Sequence, residues 1–304
     1  MILACGAGAM AMGGLRRRVA GEAMFTISLA QWSLHRQLSA GDLDNLDFAL
    51  AARERFGIDA IEYVNGFFKD KASDDRYIER MRRRAEDAGV KSLLIMIDGE
   101  GRLGDPDTGK RGESVRRHAA WLTPARALGC HSIRVNAQSE GSRIEQGERC
   151  ADGLRALCEI ANGFDLNVII ENHGGLSSDG QWLSDLVRRV DHPRCGTLPD
   201  FGNFCMDWSR KDDPKAWYDR YKGVRQLMPF AKGVSAKSYD FDETGNETQI
   251  DYERMMRIVL NAGYHGHLGV EYEGSRLSED EGVRATKKLL ERVRTKIANT
   301  IDAP

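Results

Sequence analysis

The chain has few of the features that would place it outside the cell, in a membrane or on nucleic acid. Its six cysteines, Cys5, Cys130, Cys150, Cys158, Cys195 and Cys205, form no CxxC pair and are too sparse in 304 residues for a disulfide-held scaffold. They are expected to be reduced and mostly buried. No run of about 18 apolar residues occurs, which excludes a membrane-spanning helix. The formal net charge is only −2, so nucleic acid is not an expected partner. The opening stretch MILACGAGAMAMGGLRRRVAGEAM places its arginines after its apolar part, the reverse of a secretory signal. Residues 1 to 24 are therefore read as a disordered tail or an over-long start, and the protein as cytoplasmic. No low-complexity segment or linker divides residues 25 to 298, so residues 25 to 304 are read as one domain.

What is present is a repeat of strand-like and helix-like segments. With 41% hydrophobic residues there is material for a large core. Strand-like runs lie at 25 to 31, 59 to 64, 91 to 97, 131 to 136, 167 to 172, 195 to 200, 232 to 237 and 267 to 272. Amphipathic stretches with apolar residues three and four apart separate them, such as Leu46, Ala49, Leu50 and Phe56, then Val115, Ala119, Leu122 and Leu128. Four junctions, at Gly57, Gly89, Gly129 and Gly263, read as a helix stop followed by a strand. Eight units of each kind predict an α/β fold, a single (β/α)8 TIM barrel. Long segments at 98 to 113, 137 to 146 and 240 to 248 are expected over one mouth.

Three late runs carry an acid at the end of an apolar stretch: NVIIENHGG, CGTLPDFGN and HLGVEYEG, holding Glu171, Asp200 and Glu271. A fourth, GVSAKSYDF, fits between the last two with Ser235 and Lys237 in place of an acid. The steps from Glu171 to Asp200, Ser235 and Glu271 are about 29, 35 and 36 residues, one strand-and-helix unit each. A strand shows alternate residues to opposite sides. Small or polar residues share one parity in these strands and branched apolar residues share the other. The polar parity should face the barrel axis, because the helices need an apolar layer beneath them. Glu62, Arg134, Glu171, Asp200, Lys237 and Glu271 are then expected to converge.

Three carboxylates buried together raise one another's pKa and are costly without compensation. A divalent cation bound by Glu171, Asp200 and Glu271 resolves this, and their hard oxygens suit manganese, magnesium or cobalt ahead of zinc. An ion network of the acids with Arg134 and Lys237, free of metal, is the alternative. His173 lies two residues beyond Glu171 on the same face, placed for substrate or for metal. Trp32 and Phe204 are candidate pocket walls.

The strand-end segments SLAQWSLH, SLLIMIDGEG, CHSIRVNA, IIENHGGLSS, GTLPDFGN, VSAKSYDFD and GVEYEG together resemble the sugar phosphate isomerases and epimerases of the xylose isomerase-like barrel superfamily. That superfamily also includes ketose 3-epimerases, inosose dehydratases and type IV endonucleases. The resemblance covers residues 25 to about 275. It implies a divalent metal on Glu171, Asp200 and Glu271, with the two glutamates also moving protons. It also implies a histidine on the seventh strand, where this chain has Ser235, and another just past the sixth-strand acid, near Asn203.

The expected activity is metal-dependent isomerisation or epimerisation of a sugar or related polyhydroxy keto compound through an enediolate. Glu171 and Glu271 are its expected catalytic residues, and Trp32, Glu62, Arg134, Asn136, His173, Asn203 and Lys237 its expected contacts to a small carbohydrate. A dehydratase or lyase acting on a keto-sugar or inosose, and a non-catalytic carbohydrate-binding barrel, are the alternatives. A homodimer is compatible with the sequence.

Overall fold

The computed structural model describes residues 24–301. The tail expected at residues 1 to 24 falls outside that range except for Met24, and so does Cys5. The other five cysteines are buried, and none is paired among the described residues.

All eight expected strands form: β1 (Thr26–Ala30), β2 (Ala60–Val64), β3 (Lys91–Met96), β4 (Ser132–Asn136), β5 (Asn167–Glu171), β6 (Cys195–Leu198), β7 (Val234–Ser238) and β8 (His267–Tyr272). They make one parallel sheet in the order β6-β5-β4-β3-β2-β1-β8-β7. The end strands meet through isolated parallel bridges, Thr197 with Ala231 and Asp200 with Ser235. The Lys232 amide donates to the Thr197 carbonyl at 3.0 Å, and the Ser235 amide to the Pro199 carbonyl at 3.0 Å, so the sheet curls round onto itself.

Each crossover carries at least one helix. All four expected stop glycines adopt positive φ, between +61° and +80°, a backbone that only glycine enters freely. The crossover from β3 to β4 departs from the expected single helix. It breaks into Thr108–Ala119 and Leu122–Ala127, with the buried Trp121 at the break. The Trp121 indole donates to Glu100 Oε1 at 3.1 Å, which ties this corner to the segment after β3.

Two apolar regions confirm the parity reading. The large one joins the outward faces of the strands to the helices and includes Leu29, Ile61, Ile133, Val135, Val168, Ile170 and Val270. The small one, Ala30, Val64, Leu94, Met96, Ile169 and Leu198, fills the barrel interior with Phe67 packed against it. A packed interior of this kind leaves one polar end to the C-terminal tips of the strands, where barrels place their chemistry.

Candidate active site

Glu171 ends β5, Glu271 is the fifth residue of β8, and Asp200 stands two residues beyond β6, bridged to Ser235 of β7. All three acids are buried, and one carboxylate oxygen from each lies within 4.8 Å of the others. The loop that carries Asp200 is held by Asn172, whose amide nitrogen donates to the Asp200 and Asn203 carbonyls at 3.0 and 3.1 Å and whose oxygen accepts from the Asp200 amide at 2.8 Å. Asp200 Oδ1 accepts from the amides of Gly202 and Asn203, each at 2.7 Å.

Around this triad the chain supplies two buried cations. Lys237 Nζ lies 3.2 Å from Glu271, 3.2 Å from Glu273 and 3.8 Å from Asp200. Arg134 Nε lies 2.8 Å from Glu171 Oε2, without the alignment of a hydrogen bond, and Arg134 also holds Asp98 at 2.8 Å. The ion network foreseen as the alternative to metal is thus present, but it does not balance. Glu62, Glu171, Asp200 and Glu271 are four buried acids facing Arg134 and Lys237. Arg134 also serves Asp98 and Lys237 also serves Glu273, so positive charge is short, and a divalent ion or protons would supply it.

Ser235 makes the shortage of protons concrete. Its hydroxyl lies 2.8 Å from Asp200 Oδ2 and 2.7 Å from Glu271 Oε2. One hydroxyl carries one proton, so it donates to only one of them and the other contact needs a proton from the acid. Burial pushes Asp200 up to about 7 and Glu171 likewise to about 7, with Lys237 and Arg134 respectively working against the rise. Glu271 goes the other way. Burial opposes its charge too, yet Lys237 and the Ser235 hydroxyl hold it below the usual carboxylate range. The two glutamates are therefore driven apart, the arrangement that separates an acid from a base.

The remaining expected residues fall at different distances from the triad. Asn203 donates to Glu171 Oε1 at 2.9 Å, so it fixes that carboxylate. Asn136 donates to Asp98 at 2.7 Å, and its oxygen has no partner among the described residues. His173 is exposed in the mouth, outside the group that could ligate a metal. Crowding in the mouth and the charges of Arg134 and Lys237 lower its pKa. Trp32 is 37% exposed, stacked on His35 at 4.7 Å and 6.1 Å from Phe67, which makes an aromatic wall leading into the interior. Phe204 is no wall. It is fully buried against Gly223, where even a Cβ would collide with its ring.

Glu62 does not join the triad. It shares the inward face but sits lower in the barrel, accepting from Ser28 at 2.6 Å. Its oxygens lie 2.6 and 2.7 Å from where a side chain on Gly269 would begin, two residues before Glu271.

Asp98 and Glu273 are the partners that the strand pattern did not single out as site residues. Burial raises the pKa of Asp98, but Arg134 overrides it and holds the acid down to about 2. Its only sequence signal was its place just past β3, in the run IMIDGEG.

A family profile described as a xylose isomerase-like TIM barrel matches residues 48–295. The chain belongs to the xylose isomerase-like TIM barrel family. Among curated proteins, a C-glycoside deglycosidase alpha subunit from Arthrobacter globiformis is 35% identical over 92 residues, 29% of this chain and 24% of that subunit. The chain thus aligns with about a quarter of that relative's length. A 3'-dehydrocarminate deglycosidase alpha subunit from Microbacterium sp. is 21% identical over 286 residues, 72% of this chain and 78% of the relative. Among solved structures of this xylose isomerase-like fold, the IOLI protein with a bound zinc superposes with a TM-score of 0.67 at 15% identity, covering 90% of this chain and 99% of that one. The 3-keto-D-glucoside 4-epimerase from E. coli superposes at 0.64 with 14% identity, covering 90% and 100%. These likenesses carry the fold. Among the described residues of this barrel, no helix is long and apolar enough to cross a membrane.

The raised acids set a pH dependence. Glu62, Glu171 and Asp200 each rise to about 7 from ordinary values of 4.5, 4.5 and 3.8. Between those limits the folded state binds more protons than the unfolded one, so their stabilisation is complete in acid and is lost as pH rises through about 7. Glu271 and Asp98 act with the opposite sign below this window, and His118, His131, His173 and His267, each lowered from 6.5 chiefly by burial, act with the opposite sign inside it up to about pH 6.5. The two sets oppose each other up to about pH 6.5, so without metal the melting temperature is expected to fall above that point, by on the order of a few °C between pH 6.5 and pH 8. Saturating divalent metal should flatten that slope. A metal-free melting temperature that rises above about pH 6.5 contradicts this account of the cluster.

Proposed function

We propose that the chain is a metal-dependent isomerase or epimerase of a keto sugar, moving a proton on and off the carbon beside the carbonyl through an enediolate. The observation that carries the reading is the pair of buried glutamates, Glu171 and Glu271, meeting at one point with Asp200 from three different strand ends. Arg134, Lys237, Asn136 and His173 surround that point with donors for an anionic enolate oxygen and for hydroxyls. Trp32 offers an apolar face to a sugar ring.

The donor set fits a divalent ion. Three carboxylates converge in a site short of positive charge, and Glu171 Oε2 lacks an aligned hydrogen bond among the described residues. Glu171, Asp200 and Glu271 would hold manganese, magnesium or cobalt, and the zinc described for the IOLI protein keeps that ion in the comparison. When bound, such an ion supplies Lewis-acid polarisation of the substrate carbonyl. Glu271, kept ionised by Lys237, takes the proton, and Glu171 returns one. Each transfer contributes on the order of 10² to 10⁴ in rate.

The relatives' names support reading the substrate as a glycoside oxidised to a ketone on the sugar ring. They also favour a second outcome from the same enediolate. If the proton is taken from the carbon next to the glycosidic carbon, the aglycone departs with its bonding electrons and takes up a proton. The product is a ring enone that absorbs in the ultraviolet.

The reading is tested by incubating 3-keto-glucosides and simple ketoses in deuterated water with manganese. Deuterium should enter beside the carbonyl. A new epimer then marks the first outcome and a released aglycone with ultraviolet absorbance the second. Calorimetric titration with manganese should show binding that Asp200→Ala removes. No exchange across the panel, with no metal bound, would favour the non-catalytic binding barrel.

A further inference from the structure

Past the end of β7, the side chain of Tyr239 reaches over the loop that carries Asp200. A Cβ on Gly202 would sit 2.5 Å from the Tyr239 hydroxyl and 3.0 Å from the stem of Lys237, so the bare glycine leaves the space that both side chains occupy. The Gly202 amide is one of the two that hold Asp200 Oδ1. The phenol therefore stands at the mouth, beside the acid cluster.

Its backbone is fixed from two sides. The buried Glu247 accepts from the Tyr239 and Asp240 amides at 3.2 and 3.4 Å, and at Gly274 a Cβ would collide with the Tyr239 carbonyl, so the loops after β7 and β8 lie in contact. Glu273 belongs to the second of these loops. Its amide donates to the Ser238 carbonyl at 2.9 Å and its Oε1 lies 3.2 Å from Lys237 Nζ, yet the side chain is still 28% exposed. Tyr239 and Glu273 thus border Lys237 from neighbouring strand ends.

The fold makes no use of the Tyr239 hydroxyl. The residue is half-buried, its hydroxyl has no hydrogen-bond partner among the described residues, and unlike Glu171 Oε2 that oxygen is not sealed from solvent. The charged groups that act on it are Lys237, Asp200, Glu273 and Arg220. A phenol both donates and accepts, whereas a carboxylate accepts. Held on a braced backbone, the two present a fixed donor and a fixed acceptor to whatever fills the mouth.

We infer that Tyr239 is a specificity-determining residue that hydrogen-bonds a hydroxyl of the sugar, with the Glu273 carboxylate beside it as a further acceptor. Sugar hydroxyls supply the complement, since their oxygens accept from the phenol and their protons are donated to the carboxylate. A ligand without that hydroxyl leaves these groups facing an apolar carbon. A site built to hydrogen-bond a hydroxyl rejects the analogue lacking it far more strongly than an apolar wall does. Trp32 accepts any sugar ring, and Tyr239 sorts among them.

The inference rests on the keto-sugar reading above. Its test is kcat/KM for proton exchange in deuterated water with saturating manganese, using methyl 3-keto-glucoside and its 2-, 4- and 6-deoxy analogues, for the parent and Tyr239→Phe. In the parent, one analogue should fall below the full substrate by roughly tenfold or more. In Tyr239→Phe that ratio should close to near unity while the ratios for the other analogues hold. Glu273→Gln should shrink the same ratio in part, and it serves if circular dichroism shows that the phenylalanine variant does not fold. A purely structural role would lower all four substrates in proportion. A folded variant that keeps every parental ratio, or a parent that treats the four alike, overturns the inference while the function stands. A parent that exchanges none of them overturns both.

Discussion

Replacing either Glu171 or Glu271 by glutamine is expected to lower α-proton exchange with solvent by about 10² to 10⁴, the usual worth of one positioned acid or base. Glutamine keeps the size of the side chain. In place of Glu171 it can still accept from Asn203 and in place of Glu271 from Ser235, so the fold should survive. The variants should differ in their pH behaviour. Glu171 is pushed up to about 7 by burial, whereas Glu271 is held low by Lys237 and Ser235 against its own burial. In the metal-free protein, loss of Glu271 should therefore remove the group ionised near neutrality and loss of Glu171 the group that still carries a proton there, a difference that bound metal should erase. The measurement is deuterium uptake by mass spectrometry under saturating manganese, with thermal melts of both variants. Exchange within threefold of the parent in both folded variants would take the chemistry away from these residues.

Lys237→Met should have the largest effect on stability. The ammonium is within 4 Å of Asp200, Glu271 and Glu273, and the first two acids are buried. Removing one partner of a buried ion pair leaves the other charge uncompensated, at a cost of about 3 to 5 kcal/mol. The loss should be greater at pH 8 than at pH 5, because at lower pH the stranded acids take up protons. Added manganese should stabilise this variant more than the parent, since the ion no longer shares the carboxylates with an ammonium. Urea unfolding at both pH values, with and without millimolar manganese, reads all three effects. A metal-free variant within 1 kcal/mol of the parent at pH 8 would mean that Lys237 does not compensate these acids.

Much of the site was legible because strand parity is local. From the alternation in NVIIEN and HLGVEY alone, Glu171 and Glu271 could be assigned to the inward face, and both lie there, as do Arg134 and Lys237. Asp200 was also placed, although β6 ends two residues earlier and its position comes from the bridge to Ser235 and the clasp of Asn172. Phe204 misled because nothing local distinguishes an aromatic that packs beneath a helix from one that lines a pocket. The split of the helix between β3 and β4 was hidden by apolar spacing that runs on through Trp121.

The sequence by itself determined the number and order of the strands, the stops at Gly57, Gly89, Gly129 and Gly263, and which side chains turn toward the axis. Those features follow from a two-residue alternation and from backbone preferences within a few positions. Only the tertiary structure decided the height of each inward residue and its partners: Glu62 beneath the triad, Asp98 reaching Arg134 from the neighbouring strand's loop, and Ser235 shared between Asp200 and Glu271. In a barrel, height along the axis is set by the tilt of the strands and the stagger between neighbours. That stagger belongs to the closed sheet and is written in no single segment of the chain.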